Sequence, residues 1–471
     1  MIKLRYPLYP HQVAAYEKLK ALKVGALTMD MGTGKTRTML EIIKDKYNQG
    51  KIDKVLWLCP CSAKANIKKE LEKQLISGHE IFIIAGIESL SSSVKLNSYL
   101  YDFVRKYRVL MVVDESTKIK NIEAKRTMRC VELGEECKYK YILTGNPIPR
   151  DELDLYGQYY FLDWRILGYK SQYSFRLMHA VFDKEVFTKI IDTKNTDELA
   201  RRIAPYSYQI KLEDCVDMPK KIYEEYNFDM DRETEKLYFD LSNYLIDQVD
   251  DWKPSTIYRM FNILKGIISG YWFELEEDDK IIKLDYFDTP SSNPRLRLLL
   301  DVISNLKGKI IIFCQFRDEV QAIKKMLDEE YGKDSSVIFD GSVSLKKRNE
   351  NIKKFETDAR FLIANKACAG YSLNLQFCNQ VIYYNNDWDY GTREQSEDRI
   401  YRLGQSKPCL YIDLICSRSV DKYILKCLRA KENLGKMFLK ELKENQSIRS
   451  MIGLEELKEK EIVELDGKEV H

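Results

Sequence analysis

Short apolar runs, each followed by a polar stretch of helical spacing, recur along most of this chain. They fall at residues 25–28, 54–58, 81–86, 109–113 and 141–143. A half-exposed strand alternates apolar and polar positions, so runs that are apolar at every position predict strands buried on both faces, as in a parallel sheet. Residues 37–43 and 65–75 carry helical periodicity between them. From about Asp151 to Arg295 the rhythm fades. Aromatic and charged residues mix there over helical stretches at 196–202 and 232–249, with a short extended piece near 221–230. Alternation resumes at 309–316 and continues through 336–341, 360–364 and 380–384. The pattern predicts an α/β chain with two parallel-sheet lobes joined by helical insertions.

The expected boundaries follow from those shifts. Residues 1–160 form lobe one. Residues 161–295 are mostly helical, and the extended piece near 221–230 completes lobe one. Residues 296–430 form lobe two, and 431–471 a charged helical tail, either solvated or a partner-binding arm. A chain of 471 residues is too long for one core. Lysine plus arginine (76) nearly balances aspartate plus glutamate (73), so bulk charge of +3 does not mark a nucleic-acid binder. No apolar run is long enough to span a bilayer, and the first residues lack the apolar stretch of a secretory signal. Eleven scattered cysteines without a Cys-x-x-Cys pair, and four histidines that do not cluster with them, argue against structural zinc. Free thiols imply a reducing, cytoplasmic compartment.

Candidate chemistry concentrates in a few places. Met29-Asp30-Met31-Gly32-Thr33-Gly34-Lys35-Thr36 lies between the first apolar run and a helical pattern, the setting of a phosphate-binding loop. Gly32 and Gly34 let the backbone approach a phosphate, Lys35 reaches the β- and γ-phosphates, and the Thr36 hydroxyl suits Mg²⁺. Met29 stands where the strict pattern has glycine. Upstream, Gln12 opens a helical pattern, and its amide has the donor and acceptor needed to read an adenine edge. The run at 109–113 ends in Asp114-Glu115, then Ser116-Thr117. Asp114 suits a magnesium shell and Glu115 suits orienting the attacking water. A solvated acidic turn would read the same, and the phosphate loop upstream favours the first reading. Thr144-Gly145 opens a Gly/Asn/Pro turn that senses the phosphate site, touches a nucleic-acid backbone, or is a plain turn. Arg399 and Arg402, three apart, would share a helix face and clamp a γ-phosphate, or form a solvated basic face.

In order, these segments resemble the Swi/Snf-type DNA translocase branch of helicase superfamily two. The match runs over most of residues 5–430. It rests on Asp30–Thr36, on Asp114-Glu115 running into Ile119-Lys120-Asn121, and on Leu143-Thr144-Gly145-Asn146-Pro147. It continues with Asp340-Gly341-Ser342, Arg348 and Phe355, and with Gly370-Tyr371-Ser372-Leu373-Asn374-Leu375. Most specific is Gln395-Ser396-Glu397-Asp398-Arg399-Ile400-Tyr401-Arg402-Leu403-Gly404-Gln405. Ser116-Thr117 replace the family's Ala-His, which links ATP state to nucleic-acid contact, and Tyr401 replaces a histidine. The resemblance implies two RecA-like lobes with ATP and Mg²⁺ between them. Gln12, Gly32, Thr33, Gly34, Lys35, Thr36, Gly370 and Gln395 would contact ATP, with Thr36 and Asp114 on the metal. Lys35, Asp114, Glu115, Arg399 and Arg402 would be catalytic. Ser116, Thr117, Thr144 and Gly145 would couple to nucleic acid. It further implies DNA as partner, duplex before forked or single-stranded, with RNA less favoured, and movement along duplex without processive strand separation; the alternatives are a strand-separating or fork- and branch-remodelling helicase, and a nucleotide-dependent DNA-binding scaffold that does not translocate.

Overall fold

Leu110 and Val112 point into one apolar cluster, and Met111 and Val113 into another. The strand that carries them is therefore buried on both faces, which is why its sequence does not alternate. The computed structural model describes residues 1–148, 151–182, 190–275, 281–285, 293–365, 373 and 375–454. The first unit comprises Met1–Met218 together with Arg402–Gly404, and the second begins at Pro219.

The first unit holds β1 (Val24–Met29), β2 (Lys54–Cys59), β3 (Phe82–Gly86), β4 (Val109–Asp114), β5 (Tyr139–Thr144) and β6 (Ser207–Ile210). They pair in the order β6-β1-β5-β4-β2-β3, all parallel. The chain leaves β1 through a helix and returns at β2, two strands beyond its neighbour β5. Crossovers of this kind open a crevice at the carboxyl edge of the sheet.

The second unit repeats the plan with β7 (Lys221–Phe228), β8 (Ile310–Cys314), β9 (Ser336–Phe339), β10 (Phe361–Asn365), β11 (Gln380–Tyr383) and β12 (Cys409–Cys416). Its order is β7-β12-β11-β8-β10-β9, again all parallel. Ile310, Ile312 and Cys314 face one core, and Ile311 and Phe313 the other.

Three expectations change. The extended piece near 221–230 does not complete the first sheet. It is β7, in register with β12 from Lys221–Cys409 to Phe228–Cys416, and β6 fills the edge of sheet one instead. The helices Arg232–Asp247 and Pro254–Ile268 are not an insertion in lobe one. They share an apolar cluster with Val420–Ala430 and Leu434–Lys443, all in the second unit. The tail expected from residue 431 is core as far as 454: Leu434 and Phe438 are fully buried, and Ile452 accepts a hydrogen bond from the buried Tyr238 hydroxyl (2.8 Å). The dense charge between these apolar residues hid a helical period. Residues 455–464, where charge of both signs is densest, lie outside the described residues.

Phe438→Ala should lower the stability of the second unit by about 3–5 kcal/mol, the usual cost of emptying a buried aromatic site. Its chemical denaturation transition measures this; a solvated arm would lose less than about 0.5 kcal/mol.

Candidate active site

The carboxyl ends of β1, β4 and β5 are neighbours, and each delivers a predicted residue to the same edge. Register pairs Thr28 with Thr144 and Asp114 with Leu143. The β1 strand runs into residues 30–34, and α2 (Lys35–Asn48) starts at once. Gly32 and Gly34 sit at φ +82° and +87°, a region costly for any residue with a Cβ. A Cβ on Gly34 would also collide with Gln12 Nε2.

Gln12 lies on α1 (Pro10–Leu19), is 2 % exposed, and braces the loop. Its Nε2 donates to the Thr33 carbonyl (2.9 Å), and its Oε1 accepts from the Tyr9 N–H (3.1 Å). His11 Nε2 donates to the same Thr33 carbonyl at 2.8 Å. The loop is closed internally by Thr33, whose hydroxyl donates to the Asp30 carbonyl (2.7 Å). Two neighbouring residues on α1 thus hold one carbonyl of the loop, leaving its N–H groups at the start of α2 for an anion.

Beside this brace is a cavity of about 510 Å³, lined by Tyr6, Leu8, Val13, Arg37, Glu41 and Lys44 among others. Arg37 donates to the Tyr6 carbonyl through Nε (3.1 Å) and Nη2 (2.7 Å) and pairs with Glu41 at 2.7 Å. The sequence reading missed Tyr6, Arg37 and Glu41. The signal was present in Arg37 and Glu41, four apart on a helix that begins at the loop.

Lys35 donates to the carbonyls of Met29 (2.6 Å) and Asp30 (3.1 Å). Burial lowers its proton affinity, and the nearby Glu115 and Asp114 carboxylates work against that. Asp114 goes the other way: burial, then the adjacent Glu115 charge, hold its carboxyl well above the usual range, with Lys35 opposing. Strand register brings the loop that carries Lys35 and the end of β4 that carries Asp114 to the same edge, so these charges act on one another. The Asp114 carboxylate also accepts the Glu115 N–H at 3.0 Å. Glu115 itself is left-handed at φ 52°, ψ 56°. For a non-glycine residue this costs about 1–3 kcal/mol and persists only where the flanks hold it.

The turn after β5 reaches the same place. An ideal Cβ on Gly145 would lie 3.7 Å from the Met31 nitrogen and 3.9 Å from Lys35 Nζ. The buried Thr144 hydroxyl donates to the Asn146 carbonyl (3.1 Å), so it shapes the turn. Ser116 is fully buried and Thr117 half-buried, both in the 3₁₀ turn Ser116–Ile119.

Gln395, Arg399 and Arg402 lie on the segment between β11 and β12, and the two arginines do not share a helix face as expected. The helix Tyr390–Glu397 stops short of both. Past it the Arg399 and Ile400 N–H groups bond three residues back, to Ser396 and Glu397, and the Arg399 carbonyl accepts from Leu375 N–H (3.0 Å), so the chain turns tightly instead of extending the helix. Gln405 Nε2 then ties the chain to the carbonyls of Gln376, Cys378 and Ile400. Arg399 is 2 % exposed and Arg402 half-buried. Gly370 lies outside the described residues.

Two family models match most of the chain. The SNF2-related domain model matches residues 15–269, and the helicase conserved C-terminal domain model matches 294–404. An uncharacterized ATP-dependent helicase of Mycoplasma genitalium is 26% identical over 88% of this chain, which spans 40% of that relative's length. One from Bacillus subtilis is 25% identical over 93% of this chain and 82% of its own. A DNA repair and recombination protein RAD54-like of Drosophila erecta is 26% identical over 86% of this chain and 59% of its own. Among solved structures, the Sulfolobus solfataricus SWI2/SNF2 ATPase core in complex with dsDNA is 22% identical, covering 95% of this chain and 97% of that one, with a TM-score of 0.41.

Gly34→Ala should weaken nucleotide binding by tenfold or more, because strain and the clash with Gln12 together exceed about 1.4 kcal/mol. Gly50→Ala is the control. It shares a positive φ (+65°) but faces open space, so it should bind as wild type in a fluorescent-nucleotide titration.

Proposed function

The chain belongs to the SNF2-related family, and on that premise we propose that it translocates along duplex DNA, driven by ATP hydrolysis, and remodels what is bound there. It is an ATP-hydrolysing enzyme by its family, and its relatives include ATP-dependent helicases. The observation that carries the reading is the arrival at one sheet edge of the phosphate loop with Lys35, of Asp114-Glu115 and of the turn whose Gly145 lies beside Lys35 Nζ.

In this reading the α2 N-terminus and the loop N–H groups take the β- and γ-phosphates, and Lys35 transfers its bonds from the Met29 and Asp30 carbonyls to them. The cavity by Arg37 takes the base, at the end of α1 that carries Gln12. The donor set fits Mg²⁺: a hydroxyl at Thr36 and a carboxyl at Asp114, whose unfavourable ionisation beside Glu115 a dication would relieve. When bound, that ion neutralises phosphate charge. Asp114 and Thr36 would hold it, while Glu115 orients and deprotonates the attacking water. Arg402, which groups with the first unit, supplies positive charge to the transferring phosphoryl group. DNA contact would run mainly through backbone phosphates, and so be salt-sensitive and largely indifferent to sequence.

Relatives named for DNA repair and recombination favour a second reading, in which the same engine acts on forked or branched DNA. Steady-state ATPase activity with no nucleic acid, single strands, duplex, forks and RNA separates these. Duplex should stimulate most strongly, and triplex displacement should accompany it. A fork preference selects the second reading, and one rate throughout overturns both.

Glu115→Gln should retain nucleotide binding while turnover falls by at least about 100-fold; turnover within a fewfold of wild type would remove Glu115 from the chemistry. Arg402→Ala should cost roughly 10³-fold in kcat, the size of a lost arginine finger, without shifting the melting temperature.

A further inference from the structure

Ser116 directly follows the strained Glu115, and its hydroxyl is committed. It donates to Gln158 Oε1 at 2.6 Å, with both side chains fully buried. Gln158 lies on α3 (Leu155–Leu167), a helix broken by an extended Asp163. Its amide nitrogen donates to the Pro147 carbonyl (2.7 Å) and the Asp154 carbonyl (2.9 Å). One amide therefore joins the residue after Glu115 to the turn that begins at Thr144 and places Gly145 beside Lys35.

Two further contacts press α3 onto the same 3₁₀ turn. A Cβ on Gly157 would collide with the carbonyls of Ile119 and Lys120, so the helix meets that turn at backbone distance. Lys120 Nζ pairs with Asp154 at 2.9 Å. The turn after Glu115 thus has little freedom to shift along α3, and the left-handed backbone at Glu115 is held from its carboxyl side. A buried hydroxyl and a buried amide in this setting must stay paired, since either one left alone costs about 1–3 kcal/mol.

We propose that Gln158 is a positioning residue for ATP hydrolysis: through Ser116 it sets the Glu115 carboxylate, and through the Pro147 carbonyl it ties that setting to the turn at 144–147. The proposal rests on the role given to Glu115 above. It assigns to a side chain 42 positions away the link expected of Ser116-Thr117. Gln158 itself touches no substrate. Its effect belongs on the rate of the chemical step, leaving nucleotide affinity to the loop and to α1.

The test is a double-mutant cycle with Ser116→Ala, Gln158→Leu and the pair, assayed well below the lowest melting temperature measured. Ser116→Ala should lower kcat about tenfold with the KM for ATP within about twofold, because small misplacements of a reacting group cost ten- to a hundredfold. Gln158→Leu should cost at least as much. The pair should be no slower than Gln158→Leu alone, since both changes break one connection. If Gln158→Leu fails to fold, Gln158→Met completes the cycle. Unchanged kcat in Ser116→Ala, losses that multiply in the pair, or an effect confined to KM would each overturn the proposal. Glu115→Gln, run beside them, separates the two levels. If it keeps full turnover, the reading of the site fails. If it is inactive while the cycle is silent, only the role of Gln158 fails.

Discussion

A parallel sheet covered on both faces leaves one place for chemistry, and the first unit obeys that constraint throughout. Its four central strands, β1, β2, β4 and β5, pair with neighbours on both sides and bury nearly every side chain along their length, so polar function is confined to their ends. Three carboxyl ends then do what no single segment could. The β1 end provides an anion cradle, the β4 end two carboxylates, and the β5 end a turn that closes on the lysine. The second unit is built to the same rule, although past the end of its β11 it carries a buried Arg393 bonded to Asn386 and Asp413 where the first has a phosphate loop.

The electrostatics at that edge are unfavourable by construction. Asp114 resists ionisation because water is scarce and Glu115 is adjacent, while burial, with a smaller push from Arg402, makes Lys35 resist protonation. Each group partly compensates the other, and a polyphosphate with its cation would compensate both. Sites that hold charge at a disadvantage before binding are those where substrate makes the largest difference. The left-handed Glu115 is held from both sides, its N–H by the Asp114 carboxylate and its carboxyl side by the turn Ser116–Ile119.

Much of this was legible in the residues alone. Buried parallel strands announce themselves by unbroken apolar runs, and a loop with Gly32, Gly34, Lys35 and Thr36 has few other uses. What could not be read depended on contacts distant in sequence. The β7 strand looked like part of the first sheet because its neighbours in sequence are helical; only its register with β12, some 190 residues later, assigns it. Arg399 and Arg402 have helical spacing, but the Arg399 carbonyl is taken by Leu375, a tertiary bond that overrides the local pattern. Gln158 gave no signal at all, because a glutamine among aromatics on a helix reads as an ordinary polar position. The residues at 434–454 were misread for the opposite reason: abundant charge masked the few apolar positions that reach the core.

The edge strand β6 has a consequence for how the molecule is made. Thr28 at the end of β1 donates to the Tyr208 carbonyl, the Asp30 N–H to the Ile210 carbonyl, and the Leu212 N–H to the Asp30 carboxylate. The root of the phosphate loop is thus anchored by residues synthesised some 180 positions after it. Contacts of such long separation form late, because the intervening chain must be ordered first. On the ribosome, the loop would leave the exit tunnel long before its anchor existed. The root of the loop therefore has its full set of anchors only once the chain as far as Leu212 has joined the sheet.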